Sequence, residues 1–317
     1  MNMRDLGNTG IEVSEISFGT VPLGLPYGIG VKSEADMPSE TDAVRLLHNA
    51  LDHGINFFDT ARAYGRSETI IGKAFKGIRD RVVICTKSPS LFDKDGRLPQ
   101  GRQLRTKLDE SLRKSLDELQ TNYVDVLLLH SVNDEILKSE DIAHIFAEYK
   151  RQGLIKACGV STYGAIDTQK TIESGNWDVI QLAYNLFDQQ EAVTFPMAAE
   201  KGVGIMVRSV LFKGILTDRG RKLNENLADV TAHREVYNEL LSKTGLTMSQ
   251  LATKFVLSHD EVSSVLVGID KMEYLDSAIT VADGNYLDED ILKHARELGY
   301  PEPEELDLPG WDRKGWL

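Results

Sequence analysis

Residues 55–68 read Ile-Asn-Phe-Phe-Asp-Thr-Ala-Arg-Ala-Tyr-Gly-Arg-Ser-Glu. Asn56, Phe57 and Phe58 make a short run of strand type, and Asp59 closes it. A loop then carries Tyr64, and Ser67-Glu68 opens a helix. An apolar strand ending in a carboxylate, followed by a loop phenol and a helix, is the pattern of one βα unit at the C-terminal mouth of a barrel. The rest of the chain is read by asking which other groups arrive beside Asp59 and Tyr64.

Working forward, the alternation repeats. Residues 81–86 are a β-branched strand ending at Lys87, and an amphipathic helix follows over 104–119. Residues 124–129 form the next strand, ending at His130, with a helix over 140–152. The fifth strand, 156–160, ends at Ser161-Thr162. The sixth, 178–182, holds Gln181 near its end, and the seventh, 203–207, ends at Arg208-Ser209. A long loop with Gly214 and Gly220 runs to about Ala232. Helices over 235–244 and 249–258, the second capped by Thr247, lead to an eighth strand, 263–267, ending at Gly268. Two more helices and a Pro-rich tail, 300–317, with Trp311 and Trp316, close the chain.

Working backward, residues 4–13 read as a β-hairpin around Gly7-Asn8-Thr9-Gly10, placed to plug the bottom of a barrel. Residues 15–18 are the first barrel strand, ending at Gly19-Thr20. The loop after it holds Gly24, Pro26, Gly28 and Gly30 and is long enough to border a site. Ser39 caps the next helix, with Asp42 in capping-box position and Ala43, Leu46, Leu47, Ala50 and Leu51 on one face. Strands that are apolar throughout belong to a parallel sheet covered on both faces. Eight alternating units predict an α/β fold, a single-domain (β/α)8 TIM barrel with an N-terminal hairpin.

Composition narrows the function classes. Of 317 residues, 36 are Lys or Arg and 49 Asp or Glu, a net charge of −13. Such a surface disfavours nucleic acid and anionic membranes as partners. No apolar run is long enough for a transmembrane helix, and the first residues lack the apolar region of a secretory signal. Cys85 and Cys158 sit in apolar strand-like runs without a CxxC or a Cys/His cluster. Both are expected as small buried core residues of a reduced, cytoplasmic protein.

The polar groups fall at strand ends. Asp59, Lys87 and His130 each follow an apolar strand directly, and Tyr64 lies on the loop above the second strand, so the four converge at one mouth. Singly they mean little: a strand-end carboxylate is commonly structural, a lysine there a solvated cap, a lone histidine a satisfied polar side chain. Together they describe one chemistry. Tyr64 is a general acid, Lys87 lowers its pKa, Asp59 holds the ammonium, and His130 as a neutral imidazole donates to a carbonyl oxygen. The set has no nucleophile and no converging metal ligands, so it suits reduction of a carbonyl by hydride. No GxGxxG follows a strand, so a Rossmann site is not indicated. Ser209, Gly214, Gly268 and Lys271, after strands seven and eight, fit a barrel phosphate site instead. Ser161, Thr162 and Gln181 can hydrogen-bond a carboxamide.

These residues resemble the aldo-keto reductase superfamily over nearly the whole chain. The resemblance lies in Leu6-Gly7-Asn8-Thr9-Gly10 with Val13-Ser14, in Phe18-Gly19-Thr20, and in Asn56 to Ala61 with Tyr64-Gly65 and Ser67-Glu68. It extends to Val83-Ile84-Cys85-Thr86-Lys87, Leu127-Leu128-Leu129-His130 and Gly159-Val160-Ser161. It implies the (β/α)8 barrel, an NAD(P)(H) cofactor bound in extended form, and reversible reduction of a small aldehyde or ketone. It implies the tetrad Asp59, Tyr64, Lys87 and His130, with Tyr64 as proton donor. By matching position, Ser161 and Gln181 contact the nicotinamide carboxamide, Ser209, Leu211 and Gly214 line the pyrophosphate, and Gly268 begins the adenosine segment. Gly19, Thr20 and Tyr274 join the cofactor-binding set.

The chain departs from the family pattern in three places. Thr162 stands where Asn is usual. Arg208 stands where many members stack a tyrosine on the nicotinamide, as it does in some relatives. Asp270 and Ala278 stand near positions where NADPH-preferring members carry Arg and Asn, with Lys271 offering a cation for phosphate. Family habit favours NADP(H) narrowly over NAD(H). Two other classes stay open. One is a cofactor-sensing regulatory subunit of the same fold, against which the intact tetrad argues. The other is a metal-dependent barrel hydrolase, which would want a histidine pair on an early strand that this chain lacks.

Overall fold

A computed structural model describes residues 1–317. Strands β1 (Met3–Asp5) and β2 (Glu12–Ser14) pair antiparallel, with Arg4 opposite Val13. Eight parallel strands follow: β3 (Ile16–Gly19), β4 (Phe57–Asp59), β5 (Val83–Ser88), β6 (Val124–Leu129), β7 (Ile155–Ser161), β8 (Val179–Ala183), β9 (Gly204–Arg208) and β10 (Val262–Gly268). They close in the order β10-β3-β4-β5-β6-β7-β8-β9. This is the (β/α)8 barrel with a separate N-terminal hairpin that the alternation predicts.

Alternation along each strand explains how the site arises. Successive side chains point to opposite faces, so every second residue of a barrel strand faces the axis. Phe57, Cys85, Val126, Leu128, Ala157, Val179, Met206 and Leu266 pack together inside, and Leu6, Ile11 and Val13 of the hairpin join them from below. Two residues on, along the same inward faces, come Asp59, Lys87, His130, Gln181, Arg208 and Gly268. The polar groups thus sit on an apolar floor that the hairpin seals. Gly159 belongs to this crowding, because a Cβ there would meet Val179 O at 2.1 Å and Leu128 Cδ2 at 2.8 Å.

Outside the barrel a larger apolar cluster joins strands to helices. Helix Glu40–Asp52 buries Ala43, Leu46, Leu47 and Ala50, and Ser39 caps it by accepting from the Asp42 N–H. Helix Met248–Leu257 begins with a full capping box of Thr247 and Gln250. Arg4 ties the hairpin to the end of that helix, donating to the carbonyls of Leu257 (2.8 Å), His259 (3.1 Å) and Val262 (2.7 Å). Of these, Leu257 O is one of the carbonyls a helix C-terminus leaves without an intrahelical partner.

The tail differs from its sequence reading. Instead of trailing off, it folds into a turn at Pro303–Glu305 and a helix, Leu308–Arg313, which Asp307 caps by accepting from Gly310 N–H. Trp311 is only 7% exposed and packs on Phe212. The long loop after β9 likewise contains short helical turns and a helix at Ala228–Arg234. Both cysteines are free and buried. Burial raises the thiol of Cys85 well above its ordinary value and that of Cys158 to about 12, so neither is a ready thiolate. No helix is long and apolar enough to cross a membrane.

Candidate active site

The C-terminal mouth of the barrel opens into a cleft of about 720 Å³. Asp59, Tyr64, Gly19, Gln181, Arg208, Ser209, Leu211, Gly214, Gly268, Asp270 and Tyr274 all line it. A cleft of similar size, about 670 Å³, lies at the opposite end beside the hairpin. Its Arg4 is committed to the carbonyls just described.

Asp59 and Lys87 form a buried pair directly above the apolar floor. The Lys87 ammonium donates to Asp59 Oδ1 and Oδ2, each at 2.7 Å, and to the Thr60 carbonyl at 2.9 Å. Lys87 is 0% and Asp59 3% exposed. Gln181 Nε2 donates to Asp59 Oδ1 at 2.9 Å. That spends one of the two amide N–H groups on the carboxylate and leaves the Gln181 carbonyl as an acceptor. Burial is the largest single influence and opposes the Lys87 charge, but the Asp59 carboxylate, Tyr64 and Cys85 together outweigh it and raise the lysine above its ordinary value.

Tyr64 stands above this pair. The Lys87 ammonium lies 5.0 Å from the Tyr64 ring centroid. The His130 ring meets the phenol edge-on, with centroids 5.6 Å apart at 83°. Burial, then the Lys87 charge, lowers His130 to about 4, so its imidazole is neutral at neutral pH. Tyr64 differs from expectation in net sign. Lys87 does pull its pKa down, but burial pushes harder in the other direction and Asp59 adds to it. The phenol therefore titrates above its ordinary range, because burial outweighs the pull of the ammonium, which Asp59 partly offsets.

The loop holding Tyr64 is tightly fixed. Thr60 N–H donates to Cys85 O at 2.8 Å and Arg62 N–H to Lys87 O at 3.2 Å. Ser67 Oγ donates to Thr20 Oγ1 (2.6 Å), which donates to Asp59 O (2.7 Å). Buried Glu68 accepts from Thr86 Oγ1 at 2.6 Å and pairs with Arg62. Gly24 lets the loop after β3 press onto this turn, since a Cβ there would lie 1.8 Å from Tyr64 O.

Other expected residues are placed differently. Thr20 is fully buried and engaged with Asp59 and Ser67. Thr162 is also buried, and its hydroxyl donates to Thr168 Oγ1 at 2.7 Å, because the Thr168 proton goes to Glu191 Oε1 at 3.0 Å; this turns the Thr162 hydroxyl toward the following helix. Ser161 is buried on β7 opposite Gln181. Lys271 is exposed, 5.8 Å from the Tyr274 ring centroid, and does not line the cleft. The cation lining the cleft beside Asp270 is Arg219, which sequence reasoning missed because it lies in an aperiodic loop. Arg219 donates to the Tyr274 hydroxyl at 3.0 Å and to Ile29 O at 3.4 Å, and lies 3.8 Å from Asp270. Tyr27, Tyr163 and Lys213, also missed, line the wall around Arg208. Burial, then Tyr64, pushes Tyr27 up to about 12.

The loop after β9 has an unusual backbone. Ser209, Phe212 and Lys213 have φ of 61°, 46° and 55°. The N–H groups of Val210, Leu211 and Lys213, along the cleft wall, donate to no protein acceptor. Left-handed residues with unpaired amides form concavities suited to anions.

The comparisons agree with this architecture. The B. subtilis protein "Uncharacterized oxidoreductase YqkF" is 26% identical over 308 residues, covering 92% of this chain and 95% of its own. The L-galactose dehydrogenase of Arabidopsis thaliana is 29% identical over 324 residues, covering 95% of each. The solved structure of aldo-keto reductase AKR11C1 from Bacillus halodurans, in its holo form, superposes with a TM-score of 0.77 at 26% identity, over 96% of this chain and 100% of that one. The model of the Aldo/keto reductase family matches residues 15–298, and the chain belongs to that family.

Proposed function

We propose that the protein is an NAD(P)(H)-dependent oxidoreductase that reduces a small aldehyde or ketone to an alcohol, and runs the reverse oxidation. The observation that carries this reading is the dry Asp59–Lys87 pair beneath Tyr64, with a neutral His130 at its edge. When bound, the reduced nicotinamide supplies a hydride for the carbonyl carbon. His130 donates a hydrogen bond to the carbonyl oxygen and orients it. Tyr64 Oη gives its proton to that oxygen as negative charge builds there. The raised pKa of Tyr64 suits this direction, because the phenol stays protonated until an alkoxide-like base is present. Lys87 then steadies the phenolate left behind, and Asp59 keeps the lysine charged and fixed.

The residues present fit the dinucleotide. Gln181 offers its carbonyl to an amide donor, the free N–H groups of Val210, Leu211 and Lys213 suit the pyrophosphate, and Arg219 suits a phosphate at the adenosine end. Asp270 alone would repel a 2′-phosphate, but Arg219 beside it offsets that charge. The reading therefore keeps NADP(H) narrowly ahead of NAD(H). The test is Tyr64→Phe. Carbonyl turnover is expected to fall by about 10²–10⁴ while dinucleotide affinity stays at the wild-type value. A variant that binds cofactor and keeps its turnover overturns the mechanism.

A further inference from the structure

The left-handed stretch of the loop after β9 is held from outside the barrel. Bulky residues at positive φ persist only where their surroundings over-determine them. The Phe212 ring is clamped between Phe187, at 5.8 Å, and Trp311, at 6.2 Å and 79°. The Lys213 ammonium lies 2.5 Å from Asp312 Oδ1 and 5.3 Å from the Tyr27 ring centroid. Asn185 Nδ2 fixes the start of the turn by donating to Ser209 O at 3.2 Å. Two of these clamps, Trp311 and Asp312, come from helix Leu308–Arg313. That helix lies beyond residue 298, where the family match ends.

We infer that the C-terminal helix positions the anion-binding loop, Trp311 acting through Phe212 and Asp312 through Lys213. Its contacts keep the N–H groups of Val210, Leu211 and Lys213 unpaired along the cleft. Asp312 also neutralises Lys213, so the lysine does not swing into the cleft as a free charge. Neither Trp311 nor Asp312 is among the residues lining the cleft. They are positioning residues, and the inference rests on the reading of the cleft as a dinucleotide site.

The test compares wild type, Asp312→Asn and Asp312→Glu by amide hydrogen exchange over residues 209–217, and by fluorescence titration with NADPH and NADH. Asp312 is 56% and Lys213 10% exposed at the side chain, so the pair is partly screened. Asp312→Asn is expected to speed exchange in that segment and to weaken dinucleotide binding about fivefold. The thermal midpoint should stay within about 2 °C. Asp312→Glu should restore both readouts, and in a Lys213→Met background Asp312→Asn should have no further effect. Trp311→Phe should speed exchange in the same segment, and it covers the case where a larger truncation fails to fold. Unchanged exchange in Asp312→Asn, or unchanged affinity in a protein that binds dinucleotide, overturns the inference. A wild-type protein that binds neither dinucleotide defeats the proposed function instead, and the exchange arm then decides this inference alone.

Discussion

Both carboxylate oxygens of Asp59 stand 2.7 Å from the Lys87 ammonium, at the ends of adjacent strands and shielded from water. The two residues share an inward face by strand periodicity, each two positions beyond an apolar floor residue, Phe57 and Cys85. Removing one partner leaves the other charged and buried, which costs about 3–5 kcal/mol, whereas removing both is far cheaper. Lys87→Met and Asp59→Asn should therefore each lower stability in urea denaturation, and the double variant should recover most of the loss. Turnover should not recover, because Tyr64 has then lost its neighbouring charge. If the double variant is as unstable as the sum of the singles, the pair is not an isolated buried couple.

The same geometry sets the pH profile of carbonyl reduction. His130 is neutral down to about pH 4, held there by burial and by Lys87. Tyr64 remains protonated to above the ordinary tyrosine range. Reduction should therefore show no inflection where a free histidine titrates, with an acid limb at about 4 and an alkaline limb beyond the usual phenol value. An inflection near neutral pH that disappears in His130→Gln would show that the imidazole is more solvated than the structure has it.

Much of this was legible in the sequence, and the reasons lie in particular residues. Asp59, Lys87 and His130 could be found because each ends an apolar run, and closing the barrel then brings them together. The hairpin plug was legible from Gly7-Asn8-Thr9-Gly10 between two strand-like triplets. The net direction of the Tyr64 shift was not, because it depends on how far Asp59 cancels Lys87 and how deeply the phenol is buried. Thr162 looked available for a carboxamide, but Thr168 takes its hydroxyl, a pairing set by where the next helix starts. Arg219 and Asp312 reach the site region from segments without periodicity, so nothing local marks them.

Cofactor choice should turn on Arg219 and Asp270. Arg219 is held by the Tyr274 hydroxyl and Ile29 O, with Asp270 3.8 Å away. A charge-assisted contact to a 2′-phosphate is worth roughly tenfold in affinity. Arg219→Met should weaken NADPH by about that factor and leave NADH nearly unchanged. Asp270→Arg should shift the preference further toward NADPH. Titration of each protein with both dinucleotides gives the answer, and equal losses for the two in Arg219→Met would place the guanidinium away from the ribose.

Glu191 provides a stability test independent of catalysis. It is buried at the start of the turn after β8, where Oε1 accepts from Gly164 N–H at 3.2 Å and Thr168 Oγ1 at 3.0 Å. Its other oxygen, Oε2, has no partner. Burial raises the carboxyl to about 7, although the two hydrogen bonds favour its ionised form. Because the folded value exceeds the unfolded one, the native state binds more protons between pH 4.5 and about 7. Stability contributed by the neutral acid is thus full below that window and is lost as pH rises through it. Glu191→Gln keeps an Oε1 acceptor for Gly164 and Thr168 and removes the titration. The variant should be more stable than wild type at pH 8, by on the order of 1–2 kcal/mol, and should have a flatter dependence on pH across the window. Urea denaturation of both proteins at pH 5 and pH 8 measures this, and identical pH slopes would mean that the wild-type carboxylate is ionised throughout and finds a partner for Oε2 in solution.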